Sequence, residues 1–358
     1  MRNNRSLTVA ARNLPQTRAL QSEPRPSGSG RAAGAVARRG SALLAVLWLV
    51  AALSAVAFSV AGTVRSETGR TASSVDRLKA QYLASGAIDR ALLYIEWDRV
   101  YRNPDGSSPY YGGRPHLDFQ FPSGQASVDV IPETAKLSLN KAQPEELFRL
   151  FQALGADPGR AREIVLGIED WRTQLPMGSL TSFDQYYLSR KPSFRARHAS
   201  FEEIEEVLLV KGMTPELFYG TYESDAKGRL QPRHGARECL SAYQTGTAVD
   251  ANTADAAVLA AVGVPGDMIG PLIARRRVQP FRTAEELKVF AGSMPRQERL
   301  RVGGDAMYTI RATARVRLPD GTLSDARRSV GVLVKFLDTT KFSEPYHILR
   351  WYDNVWVE

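Results

Sequence analysis

Residues 38–65 read RRGSALLAVLWLVAALSAVAFSVAGTVR. The 25 residues from Gly40 to Val64 carry no charge, and arginines flank them. About 20 helical residues cross the ~30 Å of a bilayer's hydrocarbon, so the run is long enough to span a membrane. The apolar part of a cleaved secretory signal is about 7–15 residues. This run is longer, so we read it as a retained transmembrane helix. Residues 1–40 hold eight Arg and one acid, Glu23, a charge of +7. By the positive-inside rule that flank lies in the cytoplasm and residues 65–358 lie outside it.

The helix is expected to continue past the membrane. No Pro occurs between Pro26 and Pro104. Ala80, Ala84, Ala87, Ala91 and Ile95 recur at spacings of three and four, one face of a helix. Asn103-Pro104-Asp105-Gly106 is the stop signal. A single helix over about 42–100 would be roughly 85 Å long. The alternative is two helices hinged near Gly62 or Gly69.

Outward from that helix, the pattern changes to period two. Leu117, Phe119 and Phe121, a turn at Pro122-Ser123-Gly124, then Ala126, Val128 and Val130 predict a hairpin. Tyr308 to Leu318 alternates in the same way, turns at Pro319-Asp320-Gly321, and returns through Val330, Val332, Val334 and Phe336. The expectation is an antiparallel sheet with one wet face, its other face covering the helix's apolar stripe. Between these strands, about 140–300 reads as helical and repeats internally. Asn140-x-Ala142…Leu147 matches Asn252-x-Ala254…Leu259 at an offset of 112, each Asn a candidate helix cap. SFEEIEEVLLVKG (200–212) echoes PFRTAEELKVFAG (280–292). The units resemble helix-hairpin-helix or SAM-like modules in two copies.

The chain has 358 residues, 43% hydrophobic and 24% charged, which excludes wholesale disorder, collagen and a polytopic membrane protein. Its net charge is +9, but +7 lies in residues 1–40 and only +2 in the remainder, so the basic pI argues little for nucleic acid. The leader's Arg/Ser/Gly/Pro composition is that of a disordered tail. Cys239 is the sole cysteine, which excludes intrachain disulfides and multi-cysteine metal sites. The four His are scattered, with no HExxH.

Arg38-Arg39-Gly40 running directly into an apolar helix resembles the processing site of type IV pilin-like proteins. The resemblance implies cleavage by prepilin peptidase after Gly40 and methylation of the new N-terminus, Ser41. Most such proteins carry Glu at the fifth mature position, and here that residue is Ala45. This departure points to the K-type minor pseudopilins of type II secretion (general secretion pathway protein K). LSLNKA (137–142), GIEDWR (167–172), FEEIEEVLLVKGMTPELF (201–218), ANTA (251–254), IARRRVQPFRTAEEL (273–287) and YHILRWYD (346–353) look like signatures of that family. The resemblance implies a single-pass inner-membrane protein with a periplasmic head at the tip of a short filament, helping to initiate assembly and to export folded proteins. Its implied partners are the other minor pseudopilins, prepilin peptidase, the inner membrane and secreted substrates. It also implies calcium near the Asp-Trp pair and the Tyr-Tyr segment. Most of the expected acids are missing there, which leaves Glu169, Asp170 and Asp184 as candidate remnants.

Two other classes find less support. Helix-hairpin-helix units in a membrane-anchored DNA-uptake receptor would need hairpin amides and basic residues facing phosphates. Arg275, Arg276 and Arg277 are basic, but Pro265 removes an amide, and Asp267, Glu285 and Glu286 are acidic. No nucleophile elbow, Walker loop or zinc-protease motif appears, and Glu202, Glu203, Glu205 and Glu206 read as a solvated face, so no enzyme is expected. The fold class is α+β: a long transmembrane helix packed on a pilin-like antiparallel sheet, with an inserted helical region of two repeats. The expected order is a leader that is removed (1–40), the transmembrane helix (41–64), helix continuation and first strands (65–140), helical insert (141–300) and last strands (301–358).

Overall fold

The computed structural model describes residues 39–101, 103, 109–224, 228–292, 294–304 and 306–355. The leader and the Pro104-Asp105-Gly106 stop signal lie outside these residues. Two compact units divide the chain, residues 1–67 and 68–358. Helix α1 is a single element, Arg39–Val100, in place of the two-helix alternative. In the first unit every residue from Ala42 to Glu67 is exposed.

The second unit holds the rest of α1 and everything after it. Strands β1 (His116–Phe121) and β2 (Gly124–Pro132) form the expected hairpin and lead to β3 (Leu137–Ser138). Helices α2 (Pro144–Ala153), α3 (Pro158–Arg172), α4 (Ser182–Leu188) and α5 (Pro215–Tyr219) follow, with a 3-10 helix at Ile204–Leu209 before α5. The short ribbon β4 (Thr221–Ser224) and β5 (Leu230–Arg233) precedes α6 (Ala236–Cys239) and β6 (Leu240–Ser241). Then come β7 (Val249–Asp250), α7 (Ala256–Ala261), α8 (Gly266–Val278), α9 (Ala284–Ala291) and β8 (Leu300–Arg301). The chain closes with β9 (Met307–Arg317), β10 (Leu323–Phe336) and β11 (Tyr346–Tyr352).

The main sheet has the order β1-β2-β9-β10-β11, with every pair antiparallel. Its register places Val128 opposite Ala312 and Val130 opposite Ile310, and Ala312 and Ile310 in turn face Val330 and Val332. These side chains share one pleat face and are fully buried. Against them pack Ala84, Ala87, Ile88, Ala91, Leu92 and Ile95 of α1. The alanines let the helix backbone approach the sheet, and the larger side chains gain about 1.5–3 kcal/mol each by burial. Strand β11 was not anticipated as a strand; it extends the sheet beyond β10, with a bulge between Leu333 and Val334.

The opposite face of the sheet is not wet throughout, as the alternation had implied. Leu333 and Gly331 point that way and are buried. A cavity there is lined by Thr309, Arg311, Leu333 and Tyr352 of the sheet, and by Glu238, Leu240, Ser241 and Tyr243 of the insert. The helical insert therefore docks on this face. Period-two sequence shows which face is polar and cannot show that another part of the chain covers it.

The two matched stretches of the insert make corresponding contacts. Strand β3 pairs in parallel with β6, and β7 pairs in parallel with β8. Leu139 N donates to Ser241 O at 2.8 Å, and Ala251 N donates to Arg301 O at 2.9 Å. Helix α2 turns into α3 through Gly155 (φ +87°), and α7 into α8 through Gly263 (φ +96°). After each glycine the next amide reaches back five residues, Ala156 N to Phe151 O and Val264 N to Leu259 O, closing the helix end.

The paired asparagines do not cap helices, contrary to the sequence reading. Gln143 and Asp255 occupy the cap positions of α2 and α7. Asn140 instead clamps the backbone of Phe201, donating to its carbonyl at 3.0 Å and accepting from its amide at 2.8 Å. Asn252 does the same to Phe281, at 2.8 and 2.9 Å. Two arginines complete the correspondence. Arg172 donates to the carbonyls of Leu139 (2.9 Å) and Ala142 (2.8 Å), and Arg276 donates to those of Ala251 (2.9 Å) and Ala254 (2.7 Å).

Candidate functional site

Gly40 and Ser41, the residues singled out for processing, lie in the first turn of α1. No acid occurs in that turn, in keeping with Ala45. Among the described residues α1 is the one helix long and apolar enough to cross a membrane.

In the second unit α1 carries a second apolar stripe, which the sequence reading missed. Val75, Leu78, Tyr82, Leu93 and Trp97 are all exposed. At 100° per residue they fall within a ~100° arc opposite the Ala84–Ile95 stripe, an arc they share with the exposed Lys79 and Asp89 and the half-buried Glu96. Gly86 lies within the same arc, and a Cβ added there would meet nothing within 4 Å. Heptad-like spacing would have revealed this face.

The junction between insert and sheet is electrostatic. Glu133 is buried; its carboxylate accepts from Lys136 Nζ at 2.8 Å, Thr309 Oγ1 at 2.6 Å, and the Ser241 hydroxyl. Burial alone would raise its pKa, but Lys136 and the two hydroxyls outweigh that and hold the carboxyl below its ordinary range. Glu238 of α6 pairs with Arg311 of β9 at 2.5 Å. It is likewise held low: burial opposes ionisation, and Arg311 more than offsets it. Glu203, expected in a solvated face, pairs with Arg350 of β11 and accepts from Tyr243 Oη at 3.1 Å. Glu206 accepts from Trp171 Nε1 at 3.1 Å and from the Glu202 and Glu203 amides at 2.8 and 2.9 Å. The Glu203–Glu206 stretch is therefore partly structural.

Two of the three candidate calcium residues, Asp170 and Asp184, come close enough for Asp184 to act on the Asp170 carboxyl. Glu169 pairs with Arg172. Asp184 is fully buried and accepts from the Thr181 amide (3.2 Å), the Ala196 amide (3.2 Å) and His198 Nε2 (2.9 Å), with Arg195 Nη2 at 3.7 Å. Burial works to raise its pKa, and the His198 and Thr181 bonds more than offset this, leaving the carboxyl low. Asp170 has one buried oxygen, Oδ2, without a hydrogen-bond partner, and burial raises its pKa. That orphan atom is the one feature that suits a metal. Calcium takes six to eight oxygens, and the described residues contain no cluster of three or more His, Cys, Asp or Glu arranged to hold an ion. The donor set does not fit calcium.

The basic run near the second hairpin is also largely engaged. Arg276 binds the carbonyls of Ala251 and Ala254. Arg275 donates to Gln279 O and lies over the Phe281 ring at 5.3 Å. Two of the three guanidiniums thus hold the repeat together, and a phosphate-binding reading gains nothing from them.

Comparison with known proteins finds similarities along the chain. Residues 128–220, from β2 through α5, match the family model for type II secretion system protein K. A type II secretion system protein K from Klebsiella pneumoniae is 23% identical over 198 residues, 51% of this chain. The chain spans about 60% of that relative's length. A chain in the crystal structure of the GspK-GspI-GspJ complex from the enterotoxigenic Escherichia coli Type 2 Secretion System shares 18% identity at a TM-score of 0.49, covering 80% of this chain and 99% of that one. Over residues 128–220 the chain is thus similar to the type II secretion system protein K family.

Proposed function

We propose that the whole chain acts as a K-type minor pseudopilin, a structural component of type II secretion with no catalytic role. The observation that carries this reading is the family match over 128–220, in a head whose antiparallel sheet packs on the alanine face of the same helix that begins as an apolar run. Helix α1 anchors the chain in the bacterial inner membrane in a single pass. The +7 leader stays in the cytoplasm and the head lies in the periplasm. Prepilin peptidase cleaves after Gly40, and Ser41 becomes the N-terminus.

Residues 41–64 span the membrane, 65–140 and 301–358 build the pilin-like head, and 141–300 form the insert of two SAM-like, helix-hairpin-helix-like repeats. A filament packs its subunits' helices side by side, and an insert of about 160 residues favours the tip, where nothing stacks above. Ala45 supports the same position. A carboxylate inside a membrane helix is costly and kept for a partner, and a tip subunit has no neighbour beyond it to pair with. The exposed Val75–Trp97 stripe suits the helices of other minor pseudopilins. The role is assembly initiation and export of folded proteins.

The test is co-expression with the other minor pseudopilins in membranes. A complex that survives detergent extraction and is weakened by Tyr82→Asp with Leu93→Asp is expected. A chain that extracts alone contradicts the proposal.

A further inference from the structure

The calcium implied by the family resemblance and the donors around Asp184 disagree, and the disagreement has content. We propose that the side chains of His198 and Arg195 stand where that calcium is implied, so that the loop from α4 to Phe201 is fastened to α3 by the chain's own side chains and its fold does not depend on calcium.

The geometry is specific. His198 is almost wholly buried, with its side chain 11% exposed beside a fully buried Asp184. Its Nε2 meets Asp184 Oδ2 at 2.9 Å and its Nδ1 meets the carbonyl oxygen of Asp170 at 3.0 Å. The Thr181 amide shares that Oδ2 and the Ala196 amide takes Oδ1, so both carboxylate oxygens of Asp184 are already engaged by the chain. Arg195 adds a cation at 3.7 Å from the same Oδ2. A divalent ion on Asp184 would face that guanidinium in a space that these nitrogens already fill.

The backbone agrees with this role. His198 sits at φ +50°, a conformation few non-glycine residues adopt. The contacts join elements distant in sequence: Asp170 is in α3, Asp184 in α4, and Ala199 N donates to Trp171 O at 3.0 Å. A buried carboxylate with its hydrogen bonds made is costly to strip of one partner. That is how a single side chain can replace a metal as the fastening.

The experiment follows thermal unfolding of the full chain in detergent, in EDTA and in millimolar calcium, for the wild type, His198→Gln and Asp170→Asn. The wild type is expected to melt within about 1 °C in the two conditions. His198→Gln should melt about 5 °C or more lower in both, at roughly 2–4 °C per kcal/mol for a domain of this size. Two results overturn the proposal. One is a wild type that calcium stabilises by several degrees, with the gain lost in Asp170→Asn. The other is a His198→Gln variant that melts with the wild type. If that variant does not fold, the calcium response of the wild type against Asp170→Asn still decides. The outcome is independent of whether the chain sits at a filament tip.

Discussion

The two repeats of the insert share a skeleton and differ in what hangs on it. Residues 137–241 and 249–301 each have a parallel two-residue bridge, an asparagine that clamps a phenylalanine backbone, and an arginine that ties two carbonyls. Each has a glycine hairpin between its first two helices. The first repeat adds α4, the Asp184–His198 cluster and the β4–β5 ribbon, and carries Glu238 and Ser241 to the sheet. The second runs directly from α8 to α9. The scaffold in both copies rests on backbone clamps, which need only one polar side chain each. The added elements in the first copy do the docking and the local fastening.

The largest test of that equivalence is the arginine pair. Arg172→Ala and Arg276→Ala each strand two carbonyls that had charged donors, and each should cost about 3 kcal/mol in denaturant unfolding. If one costs little, the copies are not equivalent. Asn140→Ala, which loses three hydrogen bonds, and Asn252→Ala, which loses two, come next, at about 2–3 kcal/mol each. Their costs should add to within about 0.5 kcal/mol, because the sites share no partner.

Gly155→Ala and Gly263→Ala should each cost about 1–2 kcal/mol, since both glycines lie in the left-handed region. Gly155→Ala is the more disruptive of the two. Its Cβ would come within 2.6 Å of Arg233 Nη1, against 3.2 Å from Arg296 Cδ at Gly263. A reversed order in melting temperature would show that the Arg233 contact gives way easily.

The smallest effect separates the copies by pH. Glu133 and Glu238 fasten the sheet to the first copy, and both carboxyls lie below their ordinary value of 4.5 in the fold. An acid with a lowered folded pKa binds fewer protons folded than unfolded. Its contribution is therefore complete above about pH 4.5 and lost as the pH falls through the lower folded value. Urea midpoints should decline below pH 4.5 in the wild type and decline less in Glu133→Gln. A flat acid profile would remove these two carboxylates from the account.

The parts legible in sequence were those with a period. The alanine stripe, the two hairpins and the 112-residue offset were all visible before the fold was known. Strand β11 was not, because Tyr346–Tyr352 sits at an edge and shows little alternation in burial. Nor was the use of Asn140. An asparagine four residues before a helix looks like a cap, and only the fold brings Phe201 to it. His198 looked isolated because its partners, Asp170 and Asp184, are 28 and 14 residues away in sequence. Thr309 and Arg311 were read as facing water because alternation reports polarity and is silent about coverage.

The central claim is that the apolar helix begins a processed pseudopilin, and intact-mass measurement with N-terminal sequencing tests it most directly. Co-expressed with a prepilin peptidase, the chain should lose residues 1–40 and start at N-methylated Ser41, and Gly40→Trp should keep it whole. A chain that stays full length beside an active peptidase would contradict the account.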